Sequence, residues 1–274
     1  MEQKLGATTS CWTGFPLEDA LNGISDAGLR HVELSAMFEV CDSKGDIAEH
    51  VIPENMKKGD VETLEKKMHA YSLLPMSISG HVDLVELEGV DALKRRIDLS
   101  RKIGAKIVNT KTGDPKSEEE IKNFFKHVEE VAEYAEENNI FIGLETSGKY
   151  FNTAKKAVPI LKKINSEYIK LNYDTANVIY YEGIFPEDDI EYGVEHLIHI
   201  HLKDKRGGKG EYDFPALGKG VINFQKIFNI LFNYKYTGPL SIEIEFDGKH
   251  NETLNGVNEA VVSSYNFLKK FAQF

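Results

Sequence analysis

Short β-like runs alternate with amphipathic helical runs along the whole chain, eight times over, and this alternation restricts the architectures open to it. The strand-like runs span residues 4–9, 30–36, 76–80, 105–111, 140–145, 168–174, 197–204 and 240–246. Helical periodicity predicts helices over 17–27, 61–71, 91–103, 117–138, 153–164, 221–232 and 256–271, with a short one near 187–192. Gly28 and Gly104 supply stop signals, and Ser117 followed by Glu120 reads as a capping box. Strands separated by helices pair in parallel, because the return crossover needs a dozen residues or more. Eight such units in 274 residues fit a closed (β/α)8 TIM barrel. A doubly wound open sheet is the alternative, but the first turn, residues 9–14, lacks GxGxxG. No linker rich in Pro, Gly or Ser divides the chain, so residues 1–274 are expected to form one α/β domain.

A formal net charge of -11 argues against a nucleic-acid or anionic-membrane partner, both of which need a basic footprint. The two cysteines, Cys11 and Cys41, have no CxxC spacing and are too few for a disulfide framework. No basic start followed by an apolar run opens the chain, and no apolar stretch reaches the ~20 residues of a membrane span. The expected setting is the cytoplasm. The region over 38–59 is irregular and charged, and long loops of this kind often serve as lids or binding loops.

A barrel places functional groups at the C-terminal ends of its strands, on the inward face. Strand side chains alternate with a period of two, so parity assigns that face. In 197–204, Ile198, Ile200 and Leu202 pack outward while His199, His201 and Lys203 point in. The same reading puts Glu145, Asp174, Glu243 and Glu245 inward on neighbouring strands. Glu145, Asp174, His201 and Glu243 thus converge from four consecutive strands. Three clustered carboxylates cannot all stay ionised without a counter-charge, and one divalent metal ion supplies it. Three oxygen donors and one imidazole suit Mn²⁺, Mg²⁺ or Co²⁺, with Zn²⁺ also within reach.

These residues sit in motifs that resemble a known family, the xylose isomerase-like TIM barrels, which hold sugar isomerases, ketose 3-epimerases, inosose dehydratases and the endonuclease IV group. The motifs are Ile142-Gly-Leu-Glu145, Asn172-Tyr-Asp-Thr-Ala-Asn177, His199-Ile-His-Leu-Lys-Asp204, Leu217-Gly-Lys-Gly220 with Val221-Ile-Asn-Phe224, and Gly238-Pro-Leu-Ser-Ile-Glu243. Their order and spacing, over nearly the whole chain, carry the resemblance. It implies a metal-dependent isomerase or epimerase of a small sugar or polyol, acting through a metal-chelated enediolate. Glu145 and Glu243 would bind metal and move the proton, with Asp174 and His201 completing the ligands. One departure is clear: many members have histidine three residues after the Asp174 position, where this chain has Asn177.

Further inward or strand-end groups are candidates for substrate binding: His81, Asn177, Lys203, Glu33 and Asn109. Lys203 could equally pair with Asp204 or Glu243. His199 is expected to be a hydrogen-bonded core residue one layer below His201. Glu245 could be a structural ion pair or a site residue. Trp12 and Phe15 could stack on a sugar or simply pack their loop, and 218–220 is too short to be a phosphate cradle by itself. The rival readings are an inosose-type dehydratase on the same site, an endonuclease IV-like phosphodiesterase, and a non-catalytic sugar-binding barrel. The second lacks the extra histidines of a trinuclear zinc site and meets an acidic surface. A homo-oligomer is compatible with all of them.

Overall fold

The computed structural model describes residues 3–37, 49–248 and 252–274; of the loop expected over 38–59, residues 38–48 lie outside the described residues. The strands are β1 (Leu5–Thr8), β2 (His31–Met37), β3 (Ile52–Pro53), β4 (Leu74–Ser79), β5 (Ile107–Thr110), β6 (Phe141–Glu145), β7 (Ile169–Asp174), β8 (Leu197–Leu202) and β9 (Leu240–Ile242). They pair in the order β1-β9-β8-β7-β6-β5-β4-β2-β3, every pair parallel, and a further β1–β2 pairing closes the ring. β3 only lengthens the far end of β2, through Ala36 and Met37, so eight strands form the barrel.

The helices are α1 (Leu17–Asp26), α2 (Lys58–Ala70), α3 (Leu87–Ile103), α4 (Glu118–Asn138), α5 (Ala154–Ile164), α6 (Asn177–Glu182), α7 (Phe224–Asn233) and α8 (Leu254–Leu268). Parity holds where it can be checked. Ile142, Leu144, Leu171, Tyr173, Ile200 and Leu202 are buried in the main apolar core. Gly143 faces the barrel axis. A Cβ there would lie 2.3 Å from the Asn109 side-chain oxygen and 3.0 Å from the Asn172 Cβ, so no larger residue fits without displacing them. Ser117 caps α4 by accepting the Glu120 N–H at 3.1 Å; Glu120 reaches back to the Lys116 N–H at 2.5 Å, one residue beyond a strict capping box.

Several boundaries differ from the sequence reading. The last strand stops at Ile242 rather than 246, because Phe246 takes a positive φ of 55° and pairs instead with Phe214 in an antiparallel bridge. The helix after the Gly218 loop begins at Phe224, where the Asn223 side chain accepts the Lys226 N–H. The helix near 187–192 is two 3-10 segments, Pro186–Asp188 and Ile190–His196. α6 has no counterpart in the sequence reading.

Candidate active site

β6 and β7 end on Glu145 and Asp174, and the β7–β8 register sets Asp174 level with His201. Glu243 follows β9 directly, and its N–H still donates to the Leu202 carbonyl at 3.0 Å, so it keeps the inward parity of the strand. All four side chains are buried, and each offers a ligand atom within 4.8 Å of the others. His201 Nδ1 lies 2.8 Å from Glu145 Oε1 and 3.0 Å from Glu243 Oε2. Asp174 Oδ1 accepts the backbone N–H groups of Ala176 and Asn177 at 2.8 and 2.9 Å. Lys203 Nζ stands 3.0 Å from Glu245, 3.4 Å from Asp174 and 3.7 Å from Glu243.

Burial pushes the Asp174 carboxyl up to about 7; Lys203 opposes this and the carboxylates of Glu243 and Glu145 add to it. Burial acts the same way on Glu243 and Glu145, but there the cations win. Lys203 and His201 hold Glu243 at about 2, and His81, His201 and Lys111 hold Glu145 well below the usual carboxylate range. Burial alone would lower His201, yet Glu33, Glu243 and Glu145 raise it well above the ordinary histidine value. The cluster therefore concentrates negative charge around one protonated imidazole, a proton that a bound cation would displace. Three buried oxygens, Glu145 Oε2, Asp174 Oδ2 and Glu243 Oε2, accept no hydrogen bond among the described residues. Unsatisfied inward lone pairs on three carboxylates beside an imidazole are the donor set of a divalent cation, and the residues fit one.

Beneath this cluster lies a second polar layer. Glu33 is fully buried, and its carboxylate accepts from Asn109 Nδ2 at 2.8 Å, from the Ser241 hydroxyl, and from His201 Nε2 at 3.1 Å. His199, also fully buried, contacts Asn172 at 3.1 Å and Ser241 at 3.2 Å. Burial lowers its pKa to about 4, against the opposing charge of Glu33, so it is neutral near pH 7. Glu33 and Asn109, expected at the substrate, thus lie below the site with no exposed surface. Parity gives the face of a strand but not the height on it, which the barrel stagger sets.

Above the cluster a cavity is walled by His81, Asn177, Lys203, Glu243 and Glu245, together with Lys111, Tyr180, Tyr181, Tyr212 and Phe214. His81 Nε2 is 3.4 Å from Glu145 Oε2, with about a third of its side chain exposed (34%). Lys203 pairs with Glu245, Asp174 and Glu243, as just described, and lies 4.6 Å from the centre of the Phe214 ring. Glu245 also accepts the Tyr212 hydroxyl at 3.0 Å, so it is at once an ion-pair partner and a cavity wall. Phe15 lines a neighbouring cavity that shares Tyr212 and Glu245, while buried Trp12 packs its loop and donates Nε1–H to Asn258. Lys111 has the same parity as Asn109 and could have been found that way. Tyr180 and Tyr181 lie on α6, whose one sequence signal is Asp174 three residues before its first residue, accepting the N–H groups of Ala176 and Asn177.

The 218–220 loop is not open to a phosphate. Asp204 already fills it, accepting the N–H groups of Gly218 and Gly220 at 2.8 Å each and of Ile222 at 3.3 Å. That also explains why Lys203 does not pair with Asp204.

The family model described as "Xylose isomerase-like TIM barrel" matches residues 23–271. The chain belongs to this family. A relative is the L-ribulose-5-phosphate 3-epimerase UlaE of Escherichia coli, 22% identical over 167 residues, covering 59% of this chain and 58% of that protein. The chain thus spans less than two thirds of the curated relatives it matches. Among solved structures, the family fold is shared with a D-allulose 3-epimerase from Methylomonas sp. (19% identity, TM-score 0.75, 99% and 98% of the two chains). It is shared too with an L-ribulose 3-epimerase (19%, TM-score 0.77, 98% and 94%). A xylose isomerase-like TIM barrel protein from Mycobacterium smegmatis, in complex with magnesium, aligns at 18% identity and TM-score 0.71 over 98% and 97%. Among the described residues, no helix is long and apolar enough to cross a membrane.

Proposed function

We propose that the chain, residues 1–274 acting as one barrel, is a divalent-metal-dependent epimerase or isomerase of a small sugar or polyol. The observation that carries this reading is the pair of glutamates, Glu145 and Glu243, set 2.8 and 3.0 Å from the same imidazole nitrogen at the floor of a polar cavity. The names of the related proteins, 3-epimerases of a ketose or ketose phosphate, support it. The two cysteines without CxxC spacing suit a cytoplasmic setting.

Glu145, Asp174, His201 and Glu243 would hold the ion, with Mn²⁺, Mg²⁺ or Co²⁺ matching the oxygen-rich donor set and Zn²⁺ the next choice. A bound divalent ion supplies Lewis acidity, polarising a substrate carbonyl and so acidifying the adjoining C–H. Glu145 and Glu243 are both held ionised, which suits each to take a proton. One removes the proton from the carbon beside the carbonyl, and the other serves the opposite face. His81, Asn177 and Lys203 line the cavity and donate hydrogen bonds to substrate oxygens. Tyr180, Tyr212 and Phe214 narrow it and limit the entry of water.

Incubation of the metal-loaded protein with ketoses in D₂O should incorporate deuterium at the carbon beside the carbonyl, and Glu145→Gln should abolish it. A lack of exchange with every ketose and ketose phosphate tried would overturn the reading.

A further inference from the structure

Lys111 is a charged cavity residue that neither holds the metal cluster nor enters its ion pairs. It follows β5, two residues beyond Asn109, and lines the same wall as Tyr181. The other cavity ammonium, Lys203, is held by three carboxylates at 3.0–3.7 Å. Lys111 Nζ, by contrast, has no ion-pair or hydrogen-bond partner among the described residues, and neither has the Tyr181 hydroxyl. Burial is the largest single effect on Lys111 and works against its charge, but the fields of Glu145, Tyr181 and Glu245 together outweigh it and keep the ammonium charged. The ammonium is thus balanced by the field of surrounding groups rather than by a contact, and its N–H donors remain available to a ligand. A divalent ion sharing the charge of Glu145 would weaken the largest of those favourable fields and leave the ammonium in want of a new anionic partner.

The glycine loop at 218–220, too short to be a phosphate cradle by itself, is moreover occupied from within by Asp204. An anionic substituent on a ligand in this cavity therefore has one obvious seat, the wall carrying Lys111 and Tyr181. We infer that Lys111, assisted by Tyr181, anchors an anionic oxygen-rich group of the substrate, a phosphate ester or a carboxylate. This rests on the reading of the cavity as a sugar-enzyme site. It makes Lys111 a specificity-determining residue. An ammonium donates charge-assisted hydrogen bonds to such a group, each contributing about 10- to 100-fold in affinity.

The test compares a free ketopentose, its 5-phosphate and a ketouronate with the Mn²⁺-loaded protein, reading deuterium exchange in D₂O. Alongside, inorganic phosphate is titrated into metal-free protein and its thermal shift is measured. We expect kcat/KM for at least one anionic substrate to exceed that of the free ketose by about 100-fold. Lys111→Met should remove most of that advantage through KM, so that kcat/KM falls far more for the anionic substrates than for the free ketose, whose smaller loss reports the field of Lys111 on Glu145. Phosphate should raise the melting temperature of the wild type but not of Lys111→Met. Lys111→Arg, which keeps the charge, should retain part of both effects, and Tyr181→Phe gives a milder loss should Lys111→Met fold poorly. Exchange on the free ketose with no anion preference, or an equal loss on all three substrates, overturns the anchor and leaves the epimerase reading standing. Exchange on none of the three, with a phosphate shift that depends on Lys111, overturns the epimerase reading and keeps the anion site.

Discussion

Replacing Glu33 by glutamine separates holding the metal ligand from being one. Glu33 touches neither cavity nor solvent; it accepts from Asn109, Ser241 and His201 Nε2 at once. Were a cation to displace the Nδ1 proton of His201, Glu33 would keep the remaining proton on Nε2, and the neutral ring would turn its Nδ1 lone pair toward the centre shared by Glu145, Asp174 and Glu243. Glutamine keeps the size but has one acceptor oxygen. Its NH₂ would face a donor, either Asn109 Nδ2 or the His201 and Ser241 side, so one contact becomes repulsive. Removing a carboxylate that orients a metal-ligating histidine typically costs 10–100-fold in metal affinity, about 1.4–2.7 kcal/mol. The assay is a Mn²⁺ titration, by calorimetry or by the resonance of free Mn²⁺, on Glu33→Gln, His201→Asn and wild type. Glu33→Gln should weaken binding about 10–100-fold with Mn²⁺ stoichiometry unchanged, while His201→Asn should weaken it further. A Glu33→Gln affinity within about twofold of wild type, at unchanged stability, would refute the positioning role.

Asp204→Ala strips the 218–222 loop of its acceptor, and with hydrogen bonds to a charged group at roughly 1.5–3 kcal/mol each, partly offset by water, it should cost about 2–4 kcal/mol. Thermal melting should register this as a fall of about 4–12 °C, and an unchanged melting temperature would contradict the filled-nest description. For His199, folding lowers the pKa from 6.5 to about 4, so the unfolded chain takes up a proton as pH falls below 6.5 while the folded one does not. Its contribution is therefore complete above pH 6.5 and is lost progressively down to about 4, by on the order of 3 kcal/mol. Denaturant midpoints of metal-free protein should show that slope, and His199→Asn should flatten it.

The candidate site was legible to the extent that strand parity and strand order decide it. His199, His201 and Lys203 alternate with three apolar residues, and that alternation alone separates the inward from the outward face. Parity does not report height. Glu33, Asn109 and Glu145 share the inward face, yet only Glu145 reaches the cavity, because the stagger of neighbouring strands sets how far each end projects. The wall formed by Tyr180 and Tyr181 was hidden for another reason. α6 is a six-residue helix starting three residues after β7, too short to show a helical period. The end of β9 is not legible in the sequence, because Ile244 and Phe246 continue the apolar alternation after the backbone has left the sheet.

The most direct test of a carboxylate-rich metal centre is the metal content of the purified protein, by mass spectrometry of the bound ions. About one equivalent of a divalent ion per chain is expected, falling to a small fraction in Asp174→Asn and His201→Asn variants that retain wild-type circular dichroism. Protein free of metal after purification, and unable to take up Mn²⁺, Mg²⁺, Co²⁺ or Zn²⁺ at millimolar concentration, would contradict it.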